Sequence, residues 1–596
     1  MDETDLRRMI SNVKRGRLSR RGFIRRMAAV GIAAPFANQI LSIGGVAMAQ
    51  TPFAYKPTKR GGGGTLRLLW WQGPTLLNPH FATGTKDQDG SRMFYEPLAG
   101  WDGEGNMVPQ LAAEIPSIEN GGLAKDGMSV TWKLKKGVKW HDGQPFTADD
   151  VVFNWEYASN PATAAVTSGS YNYNKAVKVD DYTVRVEFKA PTPFWADPFV
   201  GNNGMIIPKH IFEASIGAPA HAAPANLTPV GTGPYKFKEF RPGDFVSGVI
   251  NTDYHEPTQP FFDAVEMKGG GDATSAARAV LQTGEYDFAW NLQVEDAVLA
   301  QLEKGGKGTI KLFPGANIEH IQLNNTDPNV VVDGERSSLK TKHPTLTDPA
   351  VRQALSLLID RGGVQKFIYG RTAIATSNYV NNPPRYVSKN TSWEYNIAKA
   401  NEILDKAGYA KGPDGIRAKD GHKLQYVFQT SINGPRQKNQ EIVKQSCEKA
   451  GIGIEIKAVV ASVFFSSDVA NPDTYPHFYT DLQMYTTGPN YPDPWQWIAS
   501  FASWEAAQKS NNWQGRNITR WQNAEYDALY KAAGVEMDPI KRTAMLIKLN
   551  DLAVDNIVII PELYRLSVAA AKNGLQVDLS GWDSYIWNYA SWYTSA

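Results

Sequence analysis

The chain lacks most of what would mark it as a metalloprotein, a disulfide scaffold, a membrane protein or a nucleic-acid binder. Its 596 residues include one cysteine, Cys447, so no internal disulfide can form and no cluster of thiolates can hold zinc or an iron–sulfur centre. Neither sign of charge is in excess: 62 Lys and Arg face 60 Asp and Glu, a formal net of +2. Proteins that bind chiefly through phosphates concentrate a basic surplus on one domain or face, so nucleic acid is excluded as a partner. Beyond residue 49 no stretch approaches the roughly 18 uninterrupted apolar residues of a membrane span. What is present is a chain 42% hydrophobic and 20% charged, long enough for several domains around a substantial core.

Catalytic signatures are also missing. There is no His-Glu-x-x-His helix, no Gly-x-Ser-x-Gly elbow, no phosphate loop and no dinucleotide fingerprint. Ser337 and Lys340 have the spacing of a serine acyl-enzyme pair but lack its partner motifs, which makes a chance match. His141-Asp142-Gly143 could be read as a base with its orienting carboxylate. Asp-Gly is a turn signal, however, and neighbours on a turn seldom face each other. Gly231-Thr232-Gly233-Pro234-Tyr235 reads as a turn entering a strand rather than an anion cradle. Cys447 falls on the apolar face of a helix and reads as a small buried hydrophobe. No catalytic residue, metal ligand or cofactor site is assigned, and the weight moves from catalysis to binding.

The basic residues are unevenly placed. Residues 1–26 carry nine of them, with three acidic ones, and Met27–Ala49 carries no charge. A basic segment, an apolar segment and the small-x-small triplet Ala47-Met48-Ala49 are the parts of a cleavable signal peptide. Pro35, Asn38 and Gln39 dilute the apolar run too far for a membrane anchor. Ser19-Arg20-Arg21-Gly22-Phe23-Ile24-Arg25 resembles the twin-arginine export motif, and no cysteine follows the triplet to carry a lipid. Residues 1–49 are therefore expected to be an export signal and the product a soluble periplasmic protein. Without them the chain holds 53 basic and 57 acidic residues, so the small positive charge belongs to the leader.

Residues 50–64, ending in Gly61–Gly64, read as a flexible linker. Alternating strands are expected at Thr65–Trp70, 130–134 and 183–188. Helices should start at Thr147, with Asp150 completing an acidic capping box, and at Asp348-Pro349. Mixed α/β is the fold class. Aromatic residues cluster late in the chain: Trp495, Trp497, Trp504, Trp513 and Trp521 follow Tyr485 and Tyr491 in a Gly- and Pro-rich segment. Rings that offer apolar area with a polar handle suit a pocket for an organic solute, and equally a core.

One long stretch carries a specific resemblance. Leu134-x-x-Gly137-Val138-x-Trp140-His141-Asp142-Gly143-x-Pro145-Phe146-Thr147-Ala148-x-Asp150-Val151-Val152-Phe153 resembles the signature of the oligopeptide/dipeptide/nickel class of extracellular solute-binding proteins. It continues through Gly231–Tyr235, Asn251-x-x-Tyr254, Gly284–Asp287, Val351–Leu355 with Ile359–Arg361, and Ala400 to Tyr409. The resemblance implies a type II periplasmic binding fold with an extra domain, two lobes closing on a solute that an ABC permease then imports. The expected divisions are lobe I at 65–91, 229–312 and 556–596, an additional domain at 92–228, and lobe II at 313–555. The expected solute is a peptide or peptide-like molecule bound by a monomer. An oligosaccharide or opine-like receptor, an exported hydrolase and a chaperone-like module are the alternatives. In peptide-binding members an aspartate before an Asp-Pro-aromatic stretch takes the ligand's amine; here Asn490 or Pro489 stands there, which weakens the case for a free amino terminus. The candidate ligand residues are Trp70, Trp71, Tyr485, Asn490, Asp493, Trp495, Trp497 and Trp521.

Overall fold

The computed structural model describes residues 53–595 apart from residues 83, 466–469, 490, 512 and 514, together with residues 3–14, 17–19, 22–23 and 26. Glu3–Lys14 is a helix. The arginine pair Arg20-Arg21, the apolar run and the triplet before Gln50 lie outside the described residues.

Two sheets organise the protein. The first has seven strands in the spatial order Gly308–Phe313, Ser567–Lys572, Phe288–Ala289, Thr65–Trp70, Ala264–Gly269, Phe245–Ile250 and Tyr235–Arg241. Thr65–Trp70 runs parallel to both its neighbours, and the remaining pairs are antiparallel. The second has six strands, in the order Ala373–Ala375, Ile559–Arg565, Ile318–Leu323, Leu482–Thr487, Gln425–Ser431 and Gly453–Val459. Ile318–Leu323 is buried throughout, as a strand covered on both faces must be. A three-stranded antiparallel sheet, Ser129–Lys133, Thr183–Phe188 and Asn174–Asp180, sits within residues 92–228.

The local signals work as their chemistry predicts. Thr147 caps the helix Ala148–Ser159, and the Asp150 carboxylate accepts from the Thr147 amide at 2.9 Å. Asp348 caps Pro349–Leu357, which buries Val351, Ala354, Leu355 and Leu357. Cys447 is fully buried in the core of the second lobe, where burial pushes its thiol up to about 12.

Two expectations about chain division are corrected. The strand Ile559–Arg565, expected in lobe I, pairs with Ile318–Leu323 in the second sheet. Ile559, Ile560 and Leu563 bury there, and the chain enters the first sheet only at Ser567. Residues 53–64 are docked rather than loose. Arg60 donates to the carbonyls of Thr252, Tyr254, Glu256 and Gln259, and the Gly62 and Gly64 amides converge on the Asp263 carboxylate. Positive φ at Gly61, Gly62 and Gly64 makes that convergence possible.

The additional region has no core of its own. Val130, Trp132, Phe153 and Val186 belong to one apolar cluster with Leu66, Leu68 and Trp70 of the first sheet and with Trp582 and Trp592 near the chain end. The second sheet has separate clusters. The molecule therefore has two packed bodies, and the chain crosses between their sheets at 314–317 and again at Leu566. Gly581 packs directly on the crossing, where a side chain on it would collide with the Pro314 carbonyl and the Gly315 backbone.

The Gly231–Tyr235 motif secures the first body. The Gly233 amide donates to the Phe94 carbonyl at 3.0 Å, and a Cβ at Gly231 would collide with that same carbonyl. Gly231→Ala is therefore expected to cost about 3 kcal/mol or more, since backbone cannot yield to a methyl group as a flexible side chain can. A thermal melt tests this. An unchanged melting temperature would contradict the packing argument.

Candidate functional site

Two cavities that adjoin at Phe465 line the cleft between the two bodies. The first, of about 400 Å³, has one wall from the first body, with Trp71, Trp290, Asn291, Val568 and Tyr585. The other wall comes from the second body, with Ser431, Asn433, Arg436, Thr486 and Arg565. The second cavity, of about 460 Å³, lies between residues 166–170 of the additional region and an aromatic wall that includes Tyr379, Tyr485, Trp497 and Trp513. Phe465 lines both.

A buried ion cluster forms the polar part of the first cavity. Glu319 has no exposed surface. It accepts from Arg436 Nε at 2.8 Å, Thr486 Oγ1 at 2.6 Å and Tyr369 Oη at 3.2 Å, and lies 3.5 Å from Arg565. Burial alone would raise its carboxyl; Arg436 and Arg565 more than offset that and hold it below the usual carboxylate range. Both guanidiniums also donate to Thr486 Oγ1 at 2.9 Å. Arg436 stands in the first turn of the helix Gly434–Lys449, whose start is set by the Asn433 cap and Pro435. Arg565 ends the strand that leads into the Leu566 crossing.

The aromatic wall is built by stacking. Trp497 lies parallel to Tyr379 with ring centroids 3.9 Å apart, and Tyr485 packs edge-on to His320 at 4.7 Å. Burial holds His320 neutral, pushed down to about 4.

The fold separates the candidates named from sequence. Trp71, Tyr485 and Trp497 line the cleft. Trp495 stacks on Tyr530 at 4.9 Å and lines a third cavity, of about 500 Å³, which shares Gly169, Gln496 and Arg516 with the second. Asn490 lies outside the described residues. Three candidates are corrected. Trp70 is fully buried, stacked near Trp290 and donating to Asp89 at 2.9 Å. Trp521 packs in the core against Tyr526. Asp493 is committed to Arg542, with both groups buried, and also accepts from the Trp495 amide at 3.0 Å. Two rings are thus core, and one carboxylate is paired internally. Sequence reading missed Arg436, Arg565, Thr486, Trp290 and Tyr379. The Asn433-Gly434-Pro435 helix start was a legible signal for Arg436. Nothing local marks Arg565.

The catalytic alternatives dissolve in the geometry. Asp142 faces His210 at 2.7 Å, not His141. The His141 ring lies between the Gly231 amide at 3.1 Å and the Gly233 carbonyl at 3.0 Å. Ser337 Oγ donates to the Phe478 carbonyl, while Lys340 pairs with Asp333. Among the described residues no group of three or more His, Cys, Asp or Glu is placed to hold a metal ion, and no helix is long and apolar enough to cross a membrane.

A two-lobed α/β body with a cleft between lobes joined by paired crossings has the architecture of a type II solute-binding protein. The chain belongs to the bacterial extracellular solute-binding proteins, family 5, whose middle-region model matches residues 106–509. It is 29% identical over 472 residues to the oligopeptide-binding protein AppA of Bacillus subtilis, covering 77% of this chain and 78% of that one. It is also 29% identical over 388 residues to the glutathione-binding protein GsiB of Pectobacterium atrosepticum, covering 65% and 68%. The structure of B. subtilis AppA in complex with a nonapeptide is similar at a TM-score of 0.72 and 25% identity, over 91% of this chain and all of that one. NikZ from Campylobacter jejuni, in complex with Ni(L-His), shares the fold at a TM-score of 0.73 and 22% identity, over 89% and 99%.

Two predictions follow from the charged groups. Asp493→Asn leaves Arg542 buried without its counter-charge and should cost about 3 kcal/mol, read as a lowered melting temperature; a melt within a degree or so of the parent's would contradict the pairing. Burial pushes His141 down to about 4, against the raising effect of its hydrogen bond to Gly233. The ring is neutral when folded and takes up a proton below pH 6.5 or so when unfolded, so its contribution is lost as pH falls from about 6.5 toward 4. His141→Gln should melt lower at pH 7.5 yet lose less on going to pH 5. Equal pH responses would contradict the assignment.

Proposed function

We propose that the protein is the exported substrate-binding component of an ABC import system, which captures a peptide or peptide-like solute in the cleft and delivers it to a membrane permease. The observation that carries this reading is the first cavity, whose opposite walls come from different bodies. A solute held there touches both, and it favours the closed arrangement by the difference in its affinity for the two states. The peptide class is supported by the names of the AppA and GsiB relatives. Export through the twin-arginine route to the periplasm is supported by the leader motif, and a monomer that releases its solute unchanged is the simplest agent for the task.

An oligosaccharide receptor of the same fold is the second reading. The stacked Tyr379–Trp497 pair, with Tyr485 and Trp513, could cover the apolar face of a sugar.

Mass spectrometry of solute released from the native protein separates the two readings. Peptides or acylated amino acids are expected; neutral oligosaccharide alone would overturn the peptide reading. The same solute, added back, should raise the melting temperature and emerge unaltered. Trp497→Ala should weaken its binding by about tenfold, near 1.4 kcal/mol, whereas Trp495→Ala, on the third cavity, should change it by less than about threefold. Calorimetric titration checks both, and equal effects would contradict the placement of the solute beside Tyr379.

A further inference from the structure

The charges on the cleft are one-sided. The described lining of its two cavities includes three guanidiniums, Arg436, Arg565 and Arg516, and no Asp or Glu. Glu319 lies behind Arg436 and Arg565 rather than on the wall. It is fully buried, so the charged groups this corner presents to the cavity are the two guanidiniums.

The arginines are held in place, which makes the corner a preformed anion receiver. Arg436 is fixed by Glu319, by Ser431 Oγ at 3.0 Å and by Thr486. Arg565 is nine-tenths buried, rests its guanidinium 5.3 Å from the centre of the Tyr369 ring and is joined to Thr486. Its Nε has no hydrogen-bond partner. A buried charged donor without an acceptor is costly, and a ligand oxygen would relieve it.

The backbone adds to the same field. The helix Gly434–Lys449, 16 residues long, begins at this cavity, with Ser431, Ile432, Asn433 and Arg436 among the lining. Its N-terminal end contributes partial positive charge where the two guanidiniums stand. Trp71, Trp290 and Tyr585 of the opposite body supply the facing apolar wall of the same cavity.

We propose that this cleft recognises its solute first through an acidic group seated on Arg436 and Arg565, and that a free amino group on the solute is not required. The inference deepens the peptide reading and rests on the cleft being the solute site. The ligand class it names is an acid with a flat or apolar body: a peptide carboxy terminus, blocked or not at its other end, or an acidic conjugate. The acid occupies the arginine corner, and the body extends past Phe465 along Tyr485, Tyr379 and Trp497.

The test uses the mature protein stripped of its endogenous solute and offered defined probes, with capture read by native mass spectrometry. The probes are a tripeptide library lacking Asp and Glu, supplied as free acids, as N-acetylated acids and as C-terminal amides, together with trigalacturonate and neutral maltotriose. Capture of free and N-acetylated acids to within about threefold of each other, with the amides at least about tenfold weaker, is the expected result. Arg565→Gln should abolish that preference for acid over amide. Amides captured as well as acids, or acids lost on acetylation, would overturn the inference while leaving the peptide reading intact. Capture of trigalacturonate alone would overturn the peptide reading while upholding recognition through an acid, and capture of maltotriose alone would overturn both. If Arg565→Gln fails to fold, the comparison of acid and amide on the parent protein decides the matter by itself.

Discussion

Glu319 is the charge around which the cleft is arranged. It comes from the central strand of the second sheet, is wholly removed from water, and draws together Arg436 from the helix that starts at Asn433, Thr486 from the end of the adjacent strand, and Arg565 from the strand entering the crossing. Desolvating a carboxylate is expensive, so a single arginine would leave the cluster marginal. With two arginines and a threonine it is satisfied internally, and the guanidiniums are the charged groups presented to the cavity. One cluster therefore helps hold the second body together and sets the polarity of the site.

The division of the core explains how such a site can open and close. The additional region shares its apolar cluster with the first sheet, so these two parts behave as one body despite their separation in sequence. The second sheet has its own clusters. Between the bodies run a ring contact, Phe194 with Tyr491 at 5.1 Å, a hydrogen bond from Gln496 to the buried Asp197, and ion pairs such as Lys438 with Glu295 and Arg371 with Asp296 and Glu303. Pairs of this kind on partly exposed surface contribute little and can be exchanged for water. Separate cores within the bodies, with more limited contact between them, are what hinge motion requires.

Elements governed by neighbouring residues were legible in the sequence. The Thr147 and Asp348 caps, the alternating strands and the buried Cys447 follow from spacing alone, and the motif from Leu134 to Phe153 pointed to the family. That motif is structural: His141, Thr147 and Asp150 are engaged with backbone, and none of the three lines the cleft. Properties that depend on distant partners were not legible. Whether a tryptophan is core or wall is decided by what folds against it, so Trp70 and Trp521 were indistinguishable from Trp71 and Trp497 before the sheets were assembled. Asp493 looked available until Arg542, some fifty residues away, was found beside it. Arg565 ends an apolar strand that sequence had assigned to the wrong body, and its role emerged only with Glu319 in view. Residues 53–64 looked like a linker because glycine-rich composition does not reveal that Asp263 accepts from two of their amides.

The most direct measurement is an experimental structure of the protein purified from its own cells together with any solute it carries. The account predicts density between the two bodies, with an acidic oxygen within hydrogen-bond reach of Arg565 or Arg436 and the remainder of the molecule beside Tyr485 and Trp497. Solute lodged only in the third cavity beside Trp495 and Tyr530, or bound in the cleft with an amine rather than an acid toward Arg565, would contradict it.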